Sequence, residues 1–86
     1  MSFFLTKSFQ KKAQKLCKKD SKLRIELSKQ FFLFQQDRMH PSLKLHKLKG
    51  KRSNQYSIWI IGDLRALGIK NNDIYVFFDL VKHDQY

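Results

Sequence analysis

The segment YSIWIIGDLRALGIKNNDIYVFFDLV, residues 56–81, decides the fold expected for this chain of 86 residues. It contains three runs rich in β-branched and aromatic residues, at 56–61, 64–70 and 74–81. Two turn signals separate these runs, Gly62-Asp63 and Asn71-Asn72-Asp73. Three consecutive strands joined by such short turns are expected to form an antiparallel meander.

The last strand of this meander is expected to have one apolar face. Alternate side chains of a strand point to opposite sides of the sheet. This period of two groups four apolar residues on one side, namely Ile74, Val76, Phe78 and Leu80. An apolar sheet face is stable only when another layer covers it, so the sequence upstream should provide that layer.

The first helix of the covering layer follows a short strand predicted at residues 3–6. Thr6 or Ser8 can cap this helix, which runs to about Lys19. Its apolar residues recur with helical spacing on one face, at Phe9, Ala13, Leu16 and Cys17. The helix therefore has one side suited to packing on the meander.

Asp20 or Ser21 can cap the second helix, which ends before His40-Pro41 because proline disfavours helical backbone at the residue before it. Its apolar stripe is Leu23, Leu27, Phe31 and Phe34, flanked by Ile25 and Phe32. Very few residues join the two helices, so we expect an antiparallel hairpin. Residues 40–55 are predicted to be a loop.

These elements predict one α+β domain over residues 1–86, in the order β-α-α-β-β-β, with a helix hairpin packed on a small antiparallel sheet. Hydrophobic residues make up 42% of the chain, which excludes a disordered protein. No apolar run approaches the ~20 residues of a membrane span. The first residues show no signal-peptide pattern, so we expect a cytoplasmic protein.

The charge of the chain is large and unevenly distributed. There are 18 Lys and Arg against 7 Asp and Glu, a net charge of +11. Residues 1–56 contain 15 Lys and Arg and 3 Asp and Glu, a net charge of +12. Residues 57–86 contain 3 Lys and Arg and 4 Asp and Glu, a net charge of −1. Solubility needs far less charge, so we expect a polyanionic partner. Nucleic acid is the commonest such partner; membrane lipid and an acidic protein are the alternatives.

Residues suited to holding a metal or a cofactor are scarce. Cys17, the only cysteine, lies on the apolar stripe of the first helix and is expected to be a small core residue. The cysteine and histidine spacing gives no zinc motif. The glycines are scattered and form no phosphate-binding loop. We therefore expect neither a metal nor a cofactor.

Three short motifs accompany the predicted elements. HPSLKLHKLKG at 40–50 precedes the meander, GDLR at 62–65 forms its first turn, and VKHDQY at 81–86 follows it. In their order and spacing, the chain resembles the RelE/ParE toxin superfamily, and most of all the RelE and YafQ-like messenger RNA endonucleases. It departs from that pattern in two places. Two residues separate His83 from Tyr86 where the family usually has three, and Trp59 stands where the YafQ-like branch has a histidine.

The resemblance implies the toxin of a type II toxin–antitoxin system. Such toxins commonly enter the ribosomal A site and cut messenger RNA, with the 2′-OH of the RNA attacking the neighbouring phosphate and without a metal. The implied partners are messenger RNA, the ribosome and a cognate antitoxin, whose acidic segment is expected to lie across the helix hairpin and the sheet. Two alternatives stay open: ParE-like poisoning of DNA gyrase without nuclease chemistry, and an inactive basic RNA-binding relative.

Five residues are candidates for the catalytic site, namely His83, Arg65, His46, Asp63 and Tyr86. The resemblance implies proton transfer by His83, and a histidine can both take and give a proton near neutral pH. His46 is a candidate second acid or base. Asp63 is expected to orient a histidine or accept a proton, or else only to form the turn. Tyr86 matches the aromatic residue that closes the family's last motif.

Cations supply the predicted contacts to the RNA backbone. Five of them lie within nine positions before the meander: Lys44, Lys47, Lys49, Lys51 and Arg52. The alternative is a solvated, flexible loop. Arg65 can grip a phosphate with a forked pair of hydrogen bonds, or else it pairs with Asp63 or Asp79. Trp59 and Tyr75 can stack on a base, although packing within the protein is favoured for both.

Overall fold

In the computed structural model, which describes residues 3–82, two helices pack on one face of a five-stranded sheet. The elements in chain order are β1 (Phe3–Leu5), α1 (Lys7–Lys18), α2 (Ser21–Gln36), β2 (His46–Lys47), β3 (Gln55–Ile61), β4 (Leu64–Asn71) and β5 (Ile74–Lys82). The predicted α+β class and the order of its main elements are confirmed. Strand β2 was not predicted, because two residues carry no periodic signal.

Side-chain caps fix the first residue of each helix. Thr6 Oγ1 accepts a hydrogen bond from the backbone N–H of Phe9 at 3.1 Å. Asp20 Oδ1 accepts one from the N–H of Leu23 at 3.0 Å. The two helices contact each other, as predicted for a hairpin. No helix within residues 3–82 has the length and apolar character needed to cross a membrane.

Replacing Asp20 with alanine is expected to lower the free energy of unfolding by about 1 kcal/mol, because the N–H of Leu23 loses its acceptor. Urea denaturation followed by circular dichroism measures this change. Asp20→Asn is the matched control, since asparagine keeps the acceptor oxygen and should retain most of the stability. Equal losses in both variants would show that the charge matters and the cap does not.

The sheet is mixed, with the strand order β1-β5-β4-β3-β2. Strands β3, β4 and β5 form the predicted antiparallel meander. Strand β1 lies parallel to β5, with Phe4 opposite Val76. Strand β2 lies antiparallel to β3, with His46 opposite Ser57. The meander thus gains one edge strand on each side, and β2 carries a predicted site residue onto the sheet.

The face predicted for β5 was Ile74, Val76, Phe78 and Leu80, and this prediction was wrong for all but Leu80. The residues of β5 that enter the main core are Tyr75, Phe77 and Leu80. A β-bulge causes the difference. Gly68 pairs with Phe77 and the next pair is Leu67 with Asp79, so Phe78 has no partner across the strands. This extra residue shifts the alternation by one position.

Aromatic rings fill the space between the helices and the sheet. Phe34 and Phe77 are fully buried, and their ring centroids lie 5.3 Å apart at an interplanar angle of 84°. Phe31 meets Phe77 in the same edge-to-face manner at 5.1 Å. Leu16, predicted to lie on the apolar stripe of α1, is instead 37% exposed. The core therefore depends mainly on α2 and β5.

Candidate nucleic-acid interface

The sheet face opposite the helices, the outer face, carries the predicted site residues His46 and Arg65. Alternate residues of β3 and β4, such as Ile58 and Ala66, pack in the helix-side core, so their neighbours in the strands point the other way. The register places His46 opposite Ser57, Ser57 opposite Leu67, and Trp59 opposite Arg65. The outer face includes His46, Ser57, Trp59, Arg65, Leu67 and Val81, and the register places Asp79 opposite Leu67.

His46 and Arg65 are placed to contact one short segment of a ligand. His46 lies on β2 and Arg65 lies two strands away on β4, displaced by two residues along the strand. For standard sheet dimensions, this places their Cα atoms on the order of 12 Å apart. A small apolar cluster that contains Leu67 and Val81 lies on the same face. Leu48 also belongs to this cluster and anchors the segment after β2 to the sheet.

The imidazole of His46 is oriented by a backbone carbonyl. Its Nδ1 lies 2.9 Å from the carbonyl oxygen of Lys44. A carbonyl oxygen only accepts hydrogen bonds, so Nδ1 carries the hydrogen and Nε2 of the neutral ring keeps its lone pair. The hydroxyl of the buried Ser57 lies 3.5 Å from both ring nitrogens. His46 itself is exposed, so its Nε2 is accessible to a ligand.

The carbonyl that orients His46 is held by a short 3-10 turn, Pro41–Leu43. His40 shapes this turn, since its Nδ1 accepts a hydrogen bond from the N–H of Ser42 at 3.2 Å. Lys44 follows in the left-handed conformation, with a φ of 50°. This backbone reversal brings the carbonyl of Lys44 within reach of the imidazole two residues later.

Gln30 connects this turn to the sheet, and it was not predicted from the sequence. Its buried side chain donates from Nε2 to the carbonyl of Trp59 at 2.8 Å and to that of Ser42 at 3.3 Å. Helix α2, the turn and strand β3 are thereby joined. The signal was present in the sequence, because Gln30 lies between Leu27 and Phe34 on an otherwise apolar stripe. A polar residue there must find partners.

Arg65 has a buried donor that no residue in the described range satisfies. Its Nη1 is buried and has no hydrogen-bond partner among residues 3–82. The alternative pairing of Arg65 with Asp63 or Asp79 is not observed among residues 3–82, where the carboxylate of Asp79 binds Lys12 Nζ at 2.9 Å. An unsatisfied guanidinium nitrogen costs free energy unless a ligand completes it. Arg65 as a whole is half-buried, so the accessible part of its guanidinium can bind an anion such as phosphate at the outer face.

Trp59 and Asp63 lie at the turn end of the outer face. Trp59 is half-buried, and its Nε1 donates to the carbonyl of Gly62 at 2.7 Å. The Nζ of Lys44 lies 5.4 Å from the centroid of the indole ring. Gly62 takes a φ of +56°, which the tight turn requires. Asp63 is exposed at that turn, and a role for it beyond the turn stays a prediction.

The basic segment before the meander is more ordered than the predicted loop. It includes strand β2 and a second 3-10 turn, Gly50–Arg52. Arg52 is half-buried and donates from Nη1 to Oε1 of Gln55 at 3.2 Å. The four lysines are exposed, namely Lys44, Lys47, Lys49 and Lys51. These cations can therefore contact a nucleic-acid backbone beside the outer face.

Two predicted catalytic residues, His83 and Tyr86, lie outside the described residues. In the sequence His83 follows Lys82, the last residue of β5. No group of three or more His, Cys, Asp or Glu side chains within residues 3–82 is placed to hold a metal ion. The arrangement of His46 and Arg65 supports acid–base chemistry on a bound polyanion.

Cys17 is a core residue, as expected. Burial raises the pKa of its thiol, Arg24 lowers that pKa, and Asp20 raises it. The net effect places the pKa above its usual value, and such a thiol is a poor nucleophile near neutral pH. Cys17 lies in the helix-side core and not on the outer face.

Two helices on one face of a five-stranded mixed sheet give this chain the fold of the RelE/ParE superfamily toxins. No protein-family model matches the sequence, and no curated protein matches it either. The fold is nevertheless shared with solved toxin structures over nearly the whole chain.

Three solved structures illustrate the similarity. A copper-bound mutant toxin from Helicobacter pylori is 25% identical, with 99% of this chain and 97% of that chain covered and a TM-score of 0.70. A chain of the DinJ–YafQ toxin–antitoxin complex of E. coli is 16% identical, with 98% of this chain and 93% of that chain covered and a TM-score of 0.72. A YoeB/ParE toxin from Agrobacterium tumefaciens is 14% identical, with 96% of this chain and 99% of that chain covered and a TM-score of 0.75.

Proposed function

We propose that this chain is the toxin of a type II toxin–antitoxin system and a metal-independent endoribonuclease that cuts messenger RNA in the ribosomal A site. One observation carries the proposal. The outer face combines an oriented histidine, His46, with an arginine nitrogen that lacks a partner within residues 3–82, at Arg65. Poisoning of gyrase by binding requires no such acid–base arrangement.

The proposed reaction is an internal transesterification of the RNA. The 2′-oxygen forms a bond to the adjacent phosphorus while a general base takes the 2′-OH proton. The bond from phosphorus to the 5′-oxygen breaks, and a general acid protonates that oxygen. The products are a 2′,3′-cyclic phosphate and a 5′-OH end. Arg65 stabilises the charge that develops on the phosphoryl oxygens.

Two histidines divide the proton transfers in this proposal. His46 has an exposed Nε2 with a lone pair, which supports a role as acid or base. His83 is the other member, from its position in the sequence. Asp63 and Tyr86 complete the proposed site as residues that orient the RNA or a histidine. The exposed lysines beside β2 hold the RNA backbone.

The second proposed partner is an antitoxin. YafQ occurs with DinJ in a toxin–antitoxin complex, and the +12 of residues 1–56 favours an acidic partner. We place its acidic segment across the helix hairpin and the sheet, and the site of action in the cytoplasm, where the ribosomes are. A purified complex that stays intact at high salt would show that apolar contacts dominate the binding.

The test of the proposed function is induced expression in a bacterial host, followed by primer extension on an abundant message. The wild type is expected to produce discrete in-frame cuts that His83→Ala abolishes. His40→Asn is the matched control, since it removes an imidazole but keeps an acceptor for the N–H of Ser42, and it should leave the cuts in place.

Other outcomes of this experiment contradict parts of the proposal. Cuts that persist in His83→Ala would assign both proton transfers to other groups, with His46 and Asp63 as the candidates. Growth arrest without cuts but with induction of the DNA damage response would identify a gyrase poison. Absence of both arrest and cuts would contradict the nuclease and leave the inactive RNA-binding relative as the best account.

A further inference from the structure

We propose that Trp59 is a base-stacking platform and that it forms a nucleotide subsite on the outer face together with Arg65 and Lys44. The inference rests on the proposed function only in taking RNA as the ligand. Its basis is the juxtaposition of an aromatic ring, an arginine nitrogen without a partner within residues 3–82, and an exposed ammonium group.

Trp59 does not pack in the interior. It belongs neither to the helix-side core nor to the small apolar cluster of the outer face, and it makes no ring contact with another aromatic residue in the described range. Its neighbours in β3, Ile58 and Ile60, are fully buried on the opposite side. Trp59 is half-buried, so part of this large aromatic side chain is accessible to a ligand.

The indole ring is held in place before any ligand arrives. Its Nε1 donates to the carbonyl of Gly62 at 2.7 Å, which ties the ring to the turn between β3 and β4. The backbone carbonyl of Trp59 accepts a hydrogen bond from the buried Gln30 at 2.8 Å. Both ends of the residue are therefore fixed, and stacking on a base costs little conformational freedom.

The charges around the ring match the parts of a nucleotide. Lys44 Nζ lies 5.4 Å from the ring centroid, and Arg65 stands opposite Trp59 across the strands. A base that stacks on the indole displaces the ammonium of Lys44, which then becomes available to a phosphate. The half-buried guanidinium of Arg65, whose Nη1 has no partner in the described range, takes the phosphate next to that base.

Stacking of this kind predicts a site that tolerates every base. All four bases present a π-face, and the indole ring offers the base edge no free hydrogen-bond donor, because Trp59 already uses its only one on Gly62. The subsite therefore binds a nucleotide without selecting its base and positions its phosphate at Arg65.

The intrinsic fluorescence of the full chain tests the proposal directly, because Trp59 is the only tryptophan. The probe is a fully 2′-O-methylated tetranucleotide, which has no free 2′-OH and cannot be cut. Its control is an abasic backbone of the same length and charge. We expect saturable quenching with the first probe and none with the second. Equal quenching by both would overturn the proposal, since charge alone would then explain the signal.

A second measurement uses the anisotropy of the labelled tetranucleotide. Trp59→Leu is expected to weaken binding about tenfold to a hundredfold, and Trp59→Phe less, because a phenyl ring still stacks. Phe4→Leu is the matched control: it removes an aromatic ring that is 59% exposed, on β1, and should leave binding unchanged. Wild-type affinity in Trp59→Leu would overturn the proposal.

Cleavage of unmodified RNA separates this inference from the proposed function. If wild-type protein cuts RNA and Trp59→Leu retains the same KM, the subsite is wrong and the nuclease stands. If the base-dependent quenching is observed but no RNA is cut, the subsite stands and the nuclease is wrong. Should Trp59→Leu fail to fold, the comparison of the two probes on wild-type protein still decides the inference.

Discussion

Replacing Arg65 with glutamine is expected to slow RNA cleavage by about 10²- to 10³-fold, with little change in stability. The rate falls because the developing charge on the phosphoryl group loses its donor. Stability is preserved because Arg65 Nη1 has no partner to lose within residues 3–82. Removal of an unsatisfied buried nitrogen is expected to keep the melting temperature the same or to raise it. Single-turnover cleavage and thermal melting measure the two effects.

Matched variants give this experiment its specificity. Arg24→Gln makes the same change at an exposed arginine of α2, in the helix layer, and should leave the cleavage rate unchanged. Arg65→Lys keeps the charge without the forked geometry and should recover only part of the rate. A large loss of stability in Arg65→Gln would contradict the phosphate role and indicate a structural one.

Much of the fold was predictable because its signals are local. The turn signals at Gly62-Asp63 and Asn72-Asp73 fix the ends of the meander strands, and the helix caps follow from Thr6 and Asp20. The parallel position of β1 was not predictable in the same way. It depends on where the helix hairpin returns the chain, which is a property of the packed tertiary structure.

The faces of the strands were harder to predict than the strands themselves. A period of two holds only while the register is regular, and single-residue bulges interrupt β3 at Ile60 and β5 at Phe78. Each bulge moves every later side chain to the other face. The position of Arg65 on the outer face therefore required the structure, although its chemistry was evident from the sequence.

The residue types of the candidate site were predictable from the sequence, but the groups that hold those residues in position were not. His46 and Arg65 were candidates from the sequence, whereas the carbonyl of Lys44 and the side chain of Gln30 were not. A backbone carbonyl has no sequence signature, and Gln30 acts across 29 residues, on Trp59. Trp59 lies outside both apolar clusters but stands opposite Arg65 across the strands, so the sequence alone could not decide between packing and base stacking.

The largest expected effect on stability comes from replacing Phe34 with alanine. Phe34 is fully buried and packs edge-on against Tyr75 and Phe77, at centroid distances of 5.2 and 5.3 Å. Truncation of a buried phenylalanine costs about 3–5 kcal/mol through lost burial and the remaining cavity. The total stability of a chain of 86 residues is roughly 4–13 kcal/mol. Phe34→Ala is therefore expected to remove a large part of the free energy of unfolding.

The exposed Phe32 on the same helix provides a control of the same chemistry. It is 63% exposed, so Phe32→Ala should change stability by less than about 0.5 kcal/mol. Thermal melting should separate the two variants by more than about 10 °C for a domain of this size. If Phe34→Ala does not fold, Phe34→Leu should still melt below Phe32→Ala, because leucine keeps most of the volume but loses the edge-to-face contacts. Equal melting temperatures for Phe34→Leu and Phe32→Ala would show that the ring contacts of α2 with β5 do not stabilise the fold.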